Sequence, residues 1–183
     1  MRRGLRRLFR RSIGGAPPTP PVLQYANQLM AAGKYKEAAA AFEDLAKRAE
    51  GLGGPRAPFL FLQAGRAYIL LREYARGMVH LKHGLILMAN SKHYSQLYHA
   101  GTRVAHELSA RKLDKEASEI RALIRAHTPA FAEMPTDRME NTRPALPTHC
   151  PTCGGPMRSD EVEWIDETTV ECSFCGSPVR AGH

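Results

Sequence analysis

Four cysteines carry the most specific chemical signal in the chain. They stand as Cys150-Pro-Thr-Cys153-Gly-Gly-Pro and Cys172-Ser-Phe-Cys175-Gly-Ser-Pro, two Cys-x-x-Cys pairs with 18 residues between them. Two intervening residues let both sulfurs of a pair face one ion at about 2.3 Å, and two such pairs complete a tetrahedron. Gly154 and Gly176 permit the tight turn that follows, with amides available to thiolate. The spacing favours one structural zinc ion; a disulfide or redox dithiol pair, and iron held by the same sulfurs, are the alternatives. With Cys at all four positions, no coordination site is left open for the water that catalytic zinc needs.

The other reactive side chains give weaker patterns. His80 and His83 lie three residues apart on one helix face, a spacing that suits a helix surface or a packed imidazole as well as a metal. His106-Glu107 opens like a metalloprotease helix, but Ala110 stands where the second His is required. Neither a Gly-rich phosphate loop nor a Gly-x-Ser-x-Gly elbow occurs. Asp160, Glu161, Glu163, Asp166, Glu167 and Glu171 crowd between the cysteine pairs, with few apolar neighbours to shift their pKa values, and read as a solvated acidic face. No nucleophile, base or open metal site is assembled, so the chain is expected to be non-enzymatic.

The elements that position the cysteines follow from the residues between them. Glu161-Val162-Glu163-Trp164 alternates polar and apolar, Asp166-Glu167 can turn, and Thr168 to Cys172 returns in extended form, a β-hairpin ending in ligands. Residues 148–183, knuckles and hairpin alike, resemble a zinc ribbon. So small a module cannot be held by apolar burial alone, so the metal is expected to be required for its folding.

The remaining chain divides into three parts. At 183 residues and 20.3 kDa there is room for one ordinary domain beside the cysteine module. Residues 1–18, a basic tail and Gly/Pro linker, hold six Arg and no acid; residues 19–126 hold 16 basic against 9 acidic side chains; residues 127–147 are a Pro-rich linker; residues 148–183 hold 2 basic against 6 acidic. Positive charge therefore lies at the front of a chain of net charge +8, and negative charge at the back. In the opening segment Arg2, Arg3, Arg6, Arg7, Arg10 and Arg11 occupy about half of a helical wheel, with Leu5, Leu8 and Phe9 opposite, the pattern of a basic amphipathic helix. It suits an anionic membrane surface, an acidic protein, RNA, a transit peptide or a solubilising tail. No apolar run approaches the roughly 18 to 20 residues of a membrane span, and no secretory signal is recognised. Thiolates kept for a metal imply a reducing compartment, which places the chain in the cytoplasm, with peripheral membrane contact as an option.

Residues 19–126 are helical in pattern and repeat. Ala26, Leu29, Gly33, Tyr35, Ala38 and Phe42 match Gly65, Tyr68, Arg72, Tyr74, Gly77 and Leu81, each pair 39 residues apart, and Ala105, Leu108 and Ala117 continue the pattern at an offset of 40. Small residues at Ala26 or Gly65 and at Ala38 or Gly77 let paired helices approach closely; Leu29 or Tyr68 fills the seam; Gly33-Lys34-Tyr35 and Arg72-Glu73-Tyr74 make the turn and supply an aromatic that packs back. Three helix-turn-helix units are expected. Their residues resemble the tetratricopeptide repeat, whose usual period of about 34 is exceeded here by about five residues per unit. Gly51 to Pro58 can supply the excess between the first two units. The fold class expected is mainly α, a three-hairpin solenoid followed by the small β ribbon.

The resemblance also implies a concave groove lined by the first helix of each unit, which places Asn27, Arg66, Arg103 and His106 on it, with Phe59-Leu60-Phe61-Leu62 suggesting an apolar floor. Leu23 stands where a carboxylate-clamping Lys is usual in the first unit. The function expected is a protein–protein adaptor or scaffold, with a peptide-binding helical domain and a tethered structural zinc ribbon making a second contact. A nucleic-acid-associated protein using its basic tail and helices, or a membrane-peripheral assembly factor, are the other readings; the acidic ribbon weighs against phosphate binding.

Overall fold

The computed structural model describes residues 21–128, 144–159 and 162–182, with only the backbone of Glu163. The basic tail with Arg2, Arg3, Leu5, Arg6, Arg7, Leu8, Phe9, Arg10 and Arg11 lies outside the described residues, as do most of the Pro-rich linker, Asp160 and Glu161.

Six helices run α1 (Pro21–Ala31), α2 (Tyr35–Gly51), α3 (Ala57–Leu70), α4 (Tyr74–Asn90), α5 (Tyr94–Ala110) and α6 (Asp114–His127). They pack as the pairs α1/α2, α3/α4 and α5/α6, and α2 also packs broadly on α3. The chain is therefore mainly α, built from three hairpins as the repeated pattern requires. None of the described helices is long and apolar enough to cross a membrane.

The spacing of small residues explains how closely a pair can approach. A Cβ on Gly65 would lie 2.7 Å from Leu81 Cγ and 2.9 Å from the Gly77 carbonyl oxygen, and one on Gly84 would lie 2.7 Å from the Pro58 carbonyl oxygen. Helices α3 and α4 thus touch backbone to backbone at two levels. Ala26 and Ala38 are fully buried in the first hairpin. In α3 nearly every residue is buried, a helix apolar on all sides because it is packed on all sides.

The turns repeat more faithfully than their residues do. Gly33 N–H donates to Met30 and Lys34 N–H to Leu29; Arg72 and Glu73 do the same to Ile69 and Tyr68, Lys92 and His93 to Ala89 and Met88, Lys112 and Leu113 to Ser109 and Leu108. All four are Schellman-type helix ends with one left-handed residue, at φ 73° for Gly33 but 67°, 60° and 61° for Arg72, Lys92 and Lys112. Three side-chain-bearing residues accept a conformation that Gly adopts without steric cost. The expectation that the following Tyr packs back holds only in part, because Tyr35 is half-buried while Tyr74 remains exposed. The excess over a 34-residue period also falls in two different places. It lies partly in the loop between Gly51 and Ala57 in the first interval, whereas α4 and α5, each of 17 residues, absorb it in the second.

A polar knot joins the first two hairpins. Glu43 on α2 accepts hydrogen bonds from Lys47 Nζ (2.6 Å) and Tyr68 Oη (2.5 Å), with Arg76 Nη2 and His80 Nε2 each at 3.5 Å. The Lys47 and Tyr68 hydrogen bonds hold the Glu43 carboxyl down at about 2, and burial together with Glu43 pushes the Tyr68 phenol up to about 12. His80 is stacked on the rings of Phe61 and Tyr68, and this burial lowers its pKa. His83 meets Phe61 edge-on and contacts Glu50 at 2.8 Å. The two histidines serve separate carboxylates and packing roles.

The C-terminal module is a small antiparallel sheet in the order β1 (Glu163–Trp164), β2 (Thr169–Glu171), β3 (Pro178–Arg180). The hairpin expected from alternation is β1–β2. The turn is held by Ile165 and Asp166 N–H donating to the Thr169 carbonyl, and by Thr168 N–H donating to Asp166 Oδ1. Strand β3 was not anticipated; Pro178-Val179-Arg180 buries only Val179 and is too short to show periodicity.

Candidate metal centre and the helical face that holds it

The four cysteine sulfurs converge inside the ribbon. All lie within 4.8 Å of one another, all four residues are buried, and none forms a disulfide. The close pairs cross between the two loops, with Cys150 Sγ 3.7 Å from Cys175 Sγ and Cys153 Sγ 3.8 Å from Cys172 Sγ. Four ligands at about 2.3 Å from a central ion would stand about 3.8 Å apart along each edge of the tetrahedron, whereas a disulfide requires about 2.05 Å. The residues therefore fit one tetrahedral metal ion and no disulfide. Among the described residues this is the one cluster of possible metal ligands.

The two loops are built alike, which is why the same four-residue spacing serves both. Gly154 N–H donates to the Cys150 carbonyl and Gly176 N–H to the Cys172 carbonyl, both at 2.8 Å. Cys150 N–H returns to Gly155 and Cys172 N–H to Ser177. Gly154 and Gly176 take φ of 73° and 70°, the left-handed conformation that makes the turn. Their amides thus close the loop on carbonyls, while other loop amides face the sulfurs: Gly155 N–H reaches Cys153 Sγ at 3.3 Å, the Thr152 and Cys153 amides Cys150, and the Phe174 and Cys175 amides Cys172.

The thiols shift one another's protonation. Burial pushes the Cys150 thiol up, and the hydrogen bond to Cys172 together with burial does the same to Cys153. That same hydrogen bond lowers Cys172. A divalent cation at the centre would offset the mutual repulsion and the burial penalty that oppose four thiolates.

The ribbon is seated on the helical domain. Asn27 Nδ2 on α1 donates to the Cys153 carbonyl at 2.9 Å, and Gln24 Nε2 to the Thr152 carbonyl at 2.7 Å. Phe174, between the ligands of the second loop, meets Phe59 of α3 edge-to-face with ring centroids 6.0 Å apart. Arg56, just before α3, has its guanidinium against the Gly176 backbone, where any side chain would collide with it, and lies 4.0 Å from Glu171 Oε1. Linker and terminus are tied as well, through Gly182 N–H to the Ala145 carbonyl. The tethered ribbon expected from the sequence is here a docked one.

The residues anticipated for the groove are partly brought together. Asn27 caps the first metal loop. Arg66 makes a forked ion pair with Glu107, two contacts of 2.9 Å. Arg103 lines a cleft with Phe59, Pro156, Arg158 and Phe174, where ribbon and helices meet. His106 is exposed on α5 and lines neither described cleft. Leu23 is buried in the core. Of Phe59-Leu60-Phe61-Leu62, Phe59 and Leu62 face this cleft while Phe61 packs on the histidines of α4. Gln24, Arg56, Glu107 and Phe174 were not anticipated; a large aromatic inside an otherwise polar ligand loop was the one available signal, at Phe174.

The chain matches no family model, no curated protein and no solved structure.

Proposed function

We propose that the protein is a non-enzymatic protein–protein adaptor, a tetratricopeptide-like helical domain whose inner face binds a protein segment and whose C-terminal ribbon is folded by one structural zinc ion. Zinc is preferred to iron for the four-thiolate site because it has no redox chemistry and no geometric demand beyond the tetrahedron. When bound, the ion would offset half of the thiolates' charge and fix both loops; the chain's own residues do the rest. Asn27 and Gln24 orient the first loop through its carbonyls, and Phe59 and Arg56 receive the second.

The observation that carries the binding role is the part of the inner face not occupied by the ribbon. Beyond the Arg66–Glu107 pair lies a small cleft of about 40 Å³ open to solvent, with Ile69, Leu70, Leu81, Val104 and Leu108 as floor and Arg66, Glu107 and Arg111 at its rim. A small apolar group beside one carboxylate, facing Arg111, suits such a lining. Affinity purification of the full-length protein, followed by the same experiment on Arg111→Glu, tests this reading: a partner lost from the variant supports it. Binding to arbitrary RNA or DNA that falls steeply with salt would favour the nucleic-acid alternative instead.

A further inference from the structure

The face that a helical-repeat adaptor would offer to its partner is already in use. Contacts from α1 and the start of α3 reach the ribbon at its metal loops: Gln24 and Asn27 at Thr152 and Cys153, Phe59 at Phe174, Arg56 at Gly176. The charges agree, since the helical segment has an excess of bases, the ribbon an excess of acids, and an ion bound by four thiolates remains negative. The contacts fall on the two loops that carry the four sulfurs. The two receiving carbonyls belong to a loop whose ends are brought together by Cys150 and Cys153, and Phe174 projects from between Cys172 and Cys175. The ribbon's own apolar residues are few, so its loops have little to hold them once the sulfurs separate.

We propose that the metal-loaded ribbon is the resident occupant of the α1–α3 half of the groove, and that loss of the metal vacates it, so that access to the inner face is gated by the four-cysteine site. The meaning of the opening rests on the adaptor reading; the opening itself does not. Coupling of this kind is reciprocal: if the ion strengthens docking by some factor, docking strengthens retention of the ion by the same factor. Asn27 and Arg56 are then positioning residues for the metal, although neither touches it. Partners in that outer position change metal affinity by about 10- to 100-fold when removed.

Two measurements on the full chain test the gate without any partner. Hydrogen exchange followed by mass spectrometry compares zinc-loaded protein with protein stripped by a chelator under reducing conditions. Exchange is expected to rise in α1 and the first half of α3 and to stay unchanged in α4, which lies away from the ribbon. The second measurement is zinc release to a chromogenic chelator, expected to be about 10-fold or more faster in Asn27→Ala and Arg56→Ala than in wild type or in Lys36→Ala, an exposed control on α2. Unchanged exchange in α1 and α3 after stripping, or wild-type release from both variants, overturns the proposal. So does exchange that rises throughout all six helices, because the ribbon would then be a fixed part of the core and not a removable occupant. A failure to find any protein partner would count against the adaptor reading and leave both readouts standing.

Discussion

Replacing Gly65 by Ala tests the packing logic of the repeat with a single methyl group. In an exposed helix this change stabilises by about 1 kcal/mol, because Ala loses less backbone entropy than Gly. Here the new Cβ would stand 2.7 Å from Leu81 Cγ and 2.9 Å from the Gly77 carbonyl oxygen. Ordinary carbon contacts lie near 3.5 to 4.0 Å, so α3 and α4 must separate by about 1 Å or rotate. Leu81 could shift, but the Gly77 carbonyl is backbone and the second close approach, at Gly84 and Pro58, restrains the same pair of helices. Overpacking of this kind costs about 1 to 3 kcal/mol, and the propensity gain offsets only part of it. Gly51→Ala is the control, because nothing lies within 4 Å of its Cβ position at the end of α2. Urea denaturation followed by helical circular dichroism should show Gly65→Ala destabilised by about 1 to 2 kcal/mol and Gly51→Ala unchanged or stabilised by a few tenths. Equal midpoints for Gly65→Ala and wild type would refute the claim that backbone contact sets the hairpin spacing.

Three further outcomes follow from particular residues. Glu43→Gln removes the carboxylate at the centre of the knot; because the folded pKa is lowered from 4.5 to about 2, its contribution is fully present above pH 4.5 and is lost as pH falls toward 2. The side chain is 19% exposed and screened by water, so the difference from wild type should be about 1 to 2 kcal/mol at pH 7 and should shrink below pH 4, as read from paired urea titrations in which any acid effect on the ribbon cancels. Arg72→Gly should raise stability by about 0.5 to 1 kcal/mol, since Gly adopts the φ of 67° without the clash that Arg accepts, and a lower melting temperature would contradict this. Cys172→Ser should reduce bound zinc from one equivalent to substoichiometric levels by elemental analysis and shift the emission of half-buried Trp164 to the red; full zinc content would remove Cys172 from the ligand set.

Much of the site could be read directly from residue order. Cys-x-x-Cys is recognisable locally: two residues, a left-handed Gly and two closing hydrogen bonds shape each loop, whose sulfurs the opposite loop then meets. The helical hairpins were legible for a related reason, because small residues at Gly65 and Gly77 and the 39-residue offset record a contact made between neighbouring helices. Strand β3 left almost no trace, as three residues with one buried side chain cannot show a period. The left-handed turns at Lys92 and Lys112 were likewise hidden, since Lys has no turn preference and takes that conformation only because the helices on either side pack.

What residue order determined, then, is each short-range unit: the ligand loops, the hairpin pairs and the division of charge between front and back. What only the tertiary structure decided is where the ribbon sits. Asn27 lies more than a hundred positions from Cys153, yet one hydrogen bond joins them. An exposed Gln, an Asn on a helix, an Arg before a helix and two phenylalanines have no spacing rule to relate them. Their meeting depends on how the hairpins pack on one another and on how the two loops bring their sulfurs together, both properties of assembled surfaces and not of any stretch of chain.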